Sequence, residues 1–157
     1  VQRGGGQERG FRAGTENLPG IAGFAAALAA RAADTGWLER AGALRDRLEA
    51  RLTAAGAIVN GAGASRLPTI SNLAMPGVAA STQVMALDLA GFAVSAGAAC
   101  SSGKVTTSHV LTAMGIAPVL AAQSIRVSLG WLTSEAEVDG FAAAWEALAA
   151  RQASRAA

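Results

Sequence analysis

The spacing of apolar positions changes several times along the chain, and each change marks an element. Ile21, Phe24 and Leu28 recur at helical spacing up to about Ala33, with Asn17 placed to cap that helix and Pro19 in its first turn, where a missing N–H costs nothing. Over residues 36–55 a second helical stripe passes through Trp37/Leu38, Ala41, Leu44, Leu48 and Leu52, leaving Arg45, Arg47, Glu49 and Arg51 largely off it. The period then shortens. Residues 57–60 predict a short strand, Gly61-Ala62-Gly63 a turn, and residues 69–74 a second strand that stops at Pro76-Gly77. Ser81 is placed to cap a helix reaching about Leu89, residues 92–95 predict a third strand, and residues 108–114 a short helix ended by Gly115. Ser124-Ile125-Arg126-Val127-Ser128-Leu129 alternates, with Ile125, Val127 and Leu129 on one face and Ser124, Arg126 and Ser128 on the other. Ser134 and Glu137 form a capping box that opens a last helix through Val138, Phe141, Trp145 and Leu148, with a frayed tail after about Ala150. Residues 1–17 read as a strand end and a glycine-rich loop.

Helices and strands interleave without a doubly wound run, so the expected fold class is α+β with helices against one face of a sheet. The expected organisation is residues 1–17 closing a larger domain, 18–55 as linking helices, and 56–157 as a small α+β domain. At 157 residues the chain can hold one ordinary core. Much of its 52% apolar content is alanine, so core volume falls to the leucines, isoleucines and methionines together with Trp37, Trp131, Trp145, Phe11, Phe24, Phe92 and Phe141. Its net charge is only +2 and its basic residues are scattered, which argues against a nucleic-acid surface. No apolar run approaches the roughly 20 residues of a membrane span. A single cysteine excludes an internal disulfide framework and suits a reducing cytoplasm. The chain opens on Val1 and runs at once into glycines, which reads as the C-terminal portion of something longer.

That one cysteine sits in Ala96-Gly97-Ala98-Ala99-Cys100-Ser101-Ser102-Gly103, with only small neighbours and a glycine on either side. A core cysteine is normally surrounded by side chains that pack; this setting favours a reactive thiol that a large partner can approach. Lys104 would lower its pKa if it folded back over the sulfur. His109, the single histidine, stands nine residues on at the start of the next helix, where a surface or capping role is the simpler reading. One cysteine and one histidine do not make a zinc site. Arg126, mid-strand on the polar face, is either a structural ion-pair partner or a bidentate clamp for a carboxylate. The segment from Gly4 to Thr15 is either a simple turn or a phosphate-binding loop.

Three motifs together resemble a known family. Gly4-Gly5-Gly6-Gln7-Glu8-Arg9-Gly10-Phe11-Arg12-Ala13-Gly14-Thr15 resembles the GGG-[HQ]-E-R-G-x-R-x-G-T stretch of cysteine desulfurases. So do Ser95-Ala96-Gly97-Ala98-Ala99-Cys100-Ser101-Ser102-Gly103 with Ser108-His109-Val110-Leu111, and Ser124-Ile125-Arg126-Val127-Ser128-Leu129-Gly130. The long stretch after the cysteine is similar to the NifS/IscS-type branch. The resemblance implies a pyridoxal 5'-phosphate enzyme of the class V aminotransferase fold that takes sulfur from L-cysteine, leaving L-alanine and an enzyme persulfide. It implies that Cys100 accepts the sulfur and passes it to an acceptor protein such as an iron–sulfur scaffold. It further implies that Arg126 holds the substrate carboxylate and that Thr15 meets the cofactor phosphate of a neighbouring subunit in a homodimer. The family's Schiff-base lysine, ring-stacking histidine and pyridinium-binding aspartate lie upstream of its glycine-rich loop and have no counterpart here; Lys104 does not match that lysine. The chain by itself is therefore expected not to desulfurate cysteine. Two alternatives stand beside this one: a free-standing sulfur-carrier or redox module, and an inactive structural remnant.

Overall fold

The computed structural model describes residues 3–97 and 108–156. They divide into two compact units, one ending at Gly36 and one beginning at Trp37.

The first unit holds a turn at Gln7–Gly10 and helix α1 (Leu18–Ala33). Glu8 and Arg9 both have positive φ, 52° and 54°, so the segment is a left-handed turn within a loop. It contains no strand among the described residues. Asn17 caps α1 as its position predicts, its Oδ1 accepting from the Gly20 N–H at 3.1 Å, with proline in the first turn. The apolar stripe of α1 does not build core: none of its residues is buried, and Phe11 and Phe24 are exposed.

The second unit is α+β, in the order α2 (Trp37–Ala54), β1 (Ile58–Val59), β2 (Ile70–Ala74), α3 (Ala80–Leu89), β3 (Ser95–Ala96), α4 (His109–Ala113), α5 (Pro118–Ala121), β4 (Ser124–Ser128) and α6 (Glu135–Ala156). The four strands form an antiparallel sheet in the order β1-β2-β4-β3. Helix α6 contacts α2 and α3, and α2 and α3 contact the strands. Their buried side chains, among them Leu48, Leu52, Leu87, Phe141 and Trp145, form one cluster with Leu73, Ile125 and Val127 of the sheet. Burying side chains of this size contributes about 1.5–3 kcal/mol each. A bidentate ion pair closes the edge of this face: Arg66 donates to both oxygens of Glu49 at 2.6 and 2.9 Å, and the Ser71 hydroxyl adds a third bond at 2.7 Å. Burial alone raises the Glu49 pKa, but these donors outweigh it and hold the carboxylate below its ordinary range.

Several expectations need correction. Ser81 does not cap α3; the N-cap is Ala79, without a side-chain bond. A backbone acceptor stands in for it, because Ala80 N–H donates to the Ala122 carbonyl at 2.9 Å. The third strand lies at Ser95–Ala96, later than expected. Phe92 is drawn away from the sheet ladder: its N–H closes the end of α3 on the Leu87 carbonyl, and its ring packs edge-on against Phe141 at 5.7 Å. That contact depends on Gly140, where an added Cβ would come within 3.2 Å of the Phe92 ring. Helix α5 has no counterpart in the sequence pattern, and α6 continues through the expected tail to Ala156. Trp131 is half-exposed rather than core. The capping box is as expected: Glu137 Oε2 accepts from Ser134 N–H at 2.8 Å, and Ser134 Oγ accepts from Glu137 N–H at 3.3 Å.

Candidate functional site

The face of the sheet opposite the helical core is polar, and the strand register states why. Asn72 of β2 stands directly across from Arg126 of β4, and Arg126 stands across from Ser95 of β3. Directly paired residues point to the same side of a sheet, so these three side chains form a row across three strands. Their alternate neighbours, Leu73, Ile125, Val127 and Ala96, point into the core.

Over this face lies a cavity of about 380 Å³, lined by the sheet residues Asn72, Ser95, Ser124 and Arg126 and by His109 and Met114 from α4 and its end. Gly97 and Ser108, the described residues that flank segment 98–107, both line it as well. Cys100 and Lys104 fall in that segment and lie outside the described residues. The cavity thus brings together Arg126 and both shoulders of the cysteine motif.

Arg126 is exposed. Its Nη2 donates a long bond of 3.3 Å to Ser95 Oγ, and no carboxylate pairs with it among the described residues. Three other arginines of this unit show the contrast: Arg47, Arg51 and Arg66 each meet a carboxylate oxygen at 2.7 Å or closer. A guanidinium left in a cavity without a counter-ion is suited to a carboxylate ligand, to which it can present two parallel N–H groups.

Beside Arg126 runs a buried polar chain. Ser124 Oγ donates to the Leu120 carbonyl at 2.7 Å and accepts from Asn60 Nδ2 at 2.9 Å. The same Asn60 Nδ2 donates to Asn72 Oδ1 at 2.7 Å. Asn60 and Ser124 are nearly wholly buried, at 4% and 2% exposure. Sequence reading found neither this chain nor the place of Asn72. His109, read as a surface or capping residue, is indeed exposed at the first position of α4, yet it borders the cavity. Helix α4 is capped by Ser108, whose Oγ accepts from the Leu111 N–H at 3.5 Å.

Thr15 belongs to the first unit. It is exposed, and its backbone carbonyl accepts from Arg12 Nη1 at 3.1 Å. The same nitrogen reaches the Gly14 carbonyl at 2.6 Å and the Ala13 carbonyl at 3.4 Å, so Arg12 gathers three successive carbonyls and fixes the loop. Gly14, at φ +94°, supplies a backbone conformation that other residues strain to adopt. The Thr15 hydroxyl has no partner among the described residues. This donor set fits one contact to a phosphate. It does not by itself fit a complete cofactor site.

Among the described residues no helix is long and apolar enough to cross a membrane, and no cluster of His, Cys, Asp or Glu could hold a metal ion.

Comparison with known proteins agrees with this architecture. Residues 3–141 match the family model described as aminotransferase class-V. The cysteine desulfurase IscS of Anaeromyxobacter sp. (strain Fw109-5) is 47% identical over 139 residues, which are 87% of this chain and 34% of that protein. A cysteine desulfurase of Klebsiella pneumoniae is 42% identical over 139 residues, 87% of this chain and 35% of its own length. Among solved structures, a NifS-like protein superposes with a TM-score of 0.84 at 32% identity, over 96% of this chain and 38% of its own. The NifS-like protein from Rickettsia africae ESF-5 superposes with a TM-score of 0.82 at 31% identity, over 94% and 39%. The chain spans about a third of the length of the curated relatives it matches, and its α+β fold is that of the NifS-like structures. With the family model covering most of its residues, the chain belongs to the aminotransferase class-V family.

Proposed function

We propose that the chain is the sulfur-accepting C-terminal part of a cysteine desulfurase. In this reading residues 1–17 end the cofactor domain, 18–55 link the domains, and 56–157 form the small domain. The observation that carries it is the Arg126 guanidinium, without a carboxylate partner among the described residues, in a cavity bordered by Gly97 and Ser108, on either side of the one cysteine. Relatives named as cysteine desulfurases support the same reading.

Each residue then has a task that follows from its chemistry. Arg126 binds the α-carboxylate of L-cysteine and so fixes which end of the substrate enters. Cys100 follows Gly97, a residue that lines the cavity, by three positions in the sequence. As a thiolate it attacks the substrate sulfur: a sulfur–sulfur bond forms, the substrate carbon–sulfur bond breaks, and its electron pair stays on carbon, which takes a proton to give L-alanine. The persulfide on Cys100 then passes its outer sulfur to a thiol of an acceptor protein, such as an iron–sulfur scaffold. Thr15 offers its hydroxyl to the cofactor phosphate, in a homodimer to that of the neighbouring subunit. Pyridoxal phosphate, on which the class V family generally depends, supplies electron withdrawal from the bound amino acid; its lysine anchor must come from outside these residues. Localisation in the cytoplasm fits a free thiol of this kind.

The test is a single turnover of the holoenzyme containing this chain with L-cysteine, followed by mass spectrometry of the Cys100 peptide. The expected result is one added sulfur on Cys100, absent in Cys100→Ala, with the cofactor still bound in the variant. Normal alanine production by Cys100→Ala would overturn the assignment.

A further inference from the structure

Asn72 was not among the residues that the sequence pointed to, and nothing assigned above uses it. We propose that Asn72 is a second donor to the substrate α-carboxylate, its amide N–H group turned towards the ligand of Arg126 by the buried Asn60–Ser124 chain. This rests on the reading of the Arg126 site given above, and deepens it.

The direction of the amide follows from a fixed end. The Leu120 carbonyl can only accept, so Ser124 Oγ, 2.7 Å away, must give it its single proton. Ser124 is then an acceptor towards Asn60, and Asn60 must present its NH2 group to it at 2.9 Å. The second proton of that NH2 group goes to Asn72 at 2.7 Å, which requires Asn72 to present Oδ1. With Oδ1 committed to Asn60, the Asn72 NH2 group is left pointing away from it, and it has no partner among the described residues. Reversing Asn60 would break the sequence, because Ser124 would need two protons. The arrangement leaves Asn60 Oδ1 without a partner among the described residues.

Asn72 lines the same cavity as Arg126 and faces it directly across the β2–β4 ladder. The two side chains therefore present only N–H donors to one space, one charged and one neutral. A carboxylate has about four acceptor positions and can take both arginine bonds and the amide. A neutral second donor adds specificity without adding another charge to desolvate. An amine or hydroxyl in the same place would leave one of these donors unmatched.

The test uses the holoenzyme containing this chain and two inhibitors, L-alanine and its carboxylate-free counterpart ethylamine. Asn72→Ala is expected to weaken inhibition by L-alanine roughly tenfold, the loss of one hydrogen bond to a charged group, and to leave ethylamine unchanged. Asn72→Asp keeps the acceptor that Asn60 needs but replaces the donor with a negative oxygen. It should therefore fold as the parent does and weaken L-alanine more than the alanine variant. If both inhibitors weaken equally, or Asn72→Asp binds L-alanine as the parent does, the proposal is overturned. Arg126→Ala separates the two levels. If it weakens L-alanine selectively while the Asn72 variants do not, only the role of Asn72 falls; if it has no selective effect, the carboxylate site itself falls.

Discussion

The two faces of the sheet in the second unit are built from the same strands and serve different ends. On one, Leu73, Ile125 and Val127 disappear under α2, α3 and α6. On the other, their immediate neighbours Asn72, Ser124 and Arg126 border a cavity. A period of two residues separates packing from binding along a single strand. The core face spends every side chain on contact, whereas the cavity face leaves a guanidinium and an amide with hydrogen-bonding capacity unused among the described residues. Stability and ligand recognition should therefore separate residue by residue.

The largest effect on stability is expected from the core face. Leu73→Ala, at a side chain with no exposure, should cost about 3 kcal/mol through lost burial and the cavity left behind, read by urea denaturation of the chain. A loss below about 1 kcal/mol would contradict its place beneath the helices.

A smaller and pH-dependent effect belongs to the edge of that face. Folding lowers the pKa of Glu49, so its carboxylate stabilises the chain above its ordinary value of 4.5 and loses that contribution as pH falls from there through the lowered native value. Glu49→Gln should cost about 1 kcal/mol at neutral pH and flatten this part of the stability–pH curve. An unchanged acid slope in the variant would remove Glu49 from that role.

Local signals in the sequence were the ones that held. Asn17 and the Ser134/Glu137 box act within one helical turn, and the alternation of residues 124–129 needs only the strand itself. What could not be read there depends on distant partners. The Ala80 N–H at the start of α3 is satisfied by the Ala122 carbonyl, forty-odd residues from Ser81, the serine whose position predicts a cap. Phe92 leaves the sheet because Gly140 makes room for its ring on α6. The stripe of α1 looks like that of α6 in spacing, yet only the latter contributes to the core; periodicity gives a helix its face but not something to face. Arg126 was legible as a polar-face arginine, and its family motif suggested a carboxylate. Asn72 became visible only when β2 was paired with β4, which sets it opposite Arg126.

Stability should respond least to Arg126→Ala, by no more than about 0.5 kcal/mol, because the side chain is exposed and carries no ion pair among the described residues. Binding should respond strongly, and this makes the KM for L-cysteine of the Arg126→Ala holoenzyme the most direct test of the account. The expected result is a KM raised about tenfold or more in a protein that unfolds at the parent's midpoint. An unchanged KM would contradict the assignment of the polar sheet face to the substrate carboxylate.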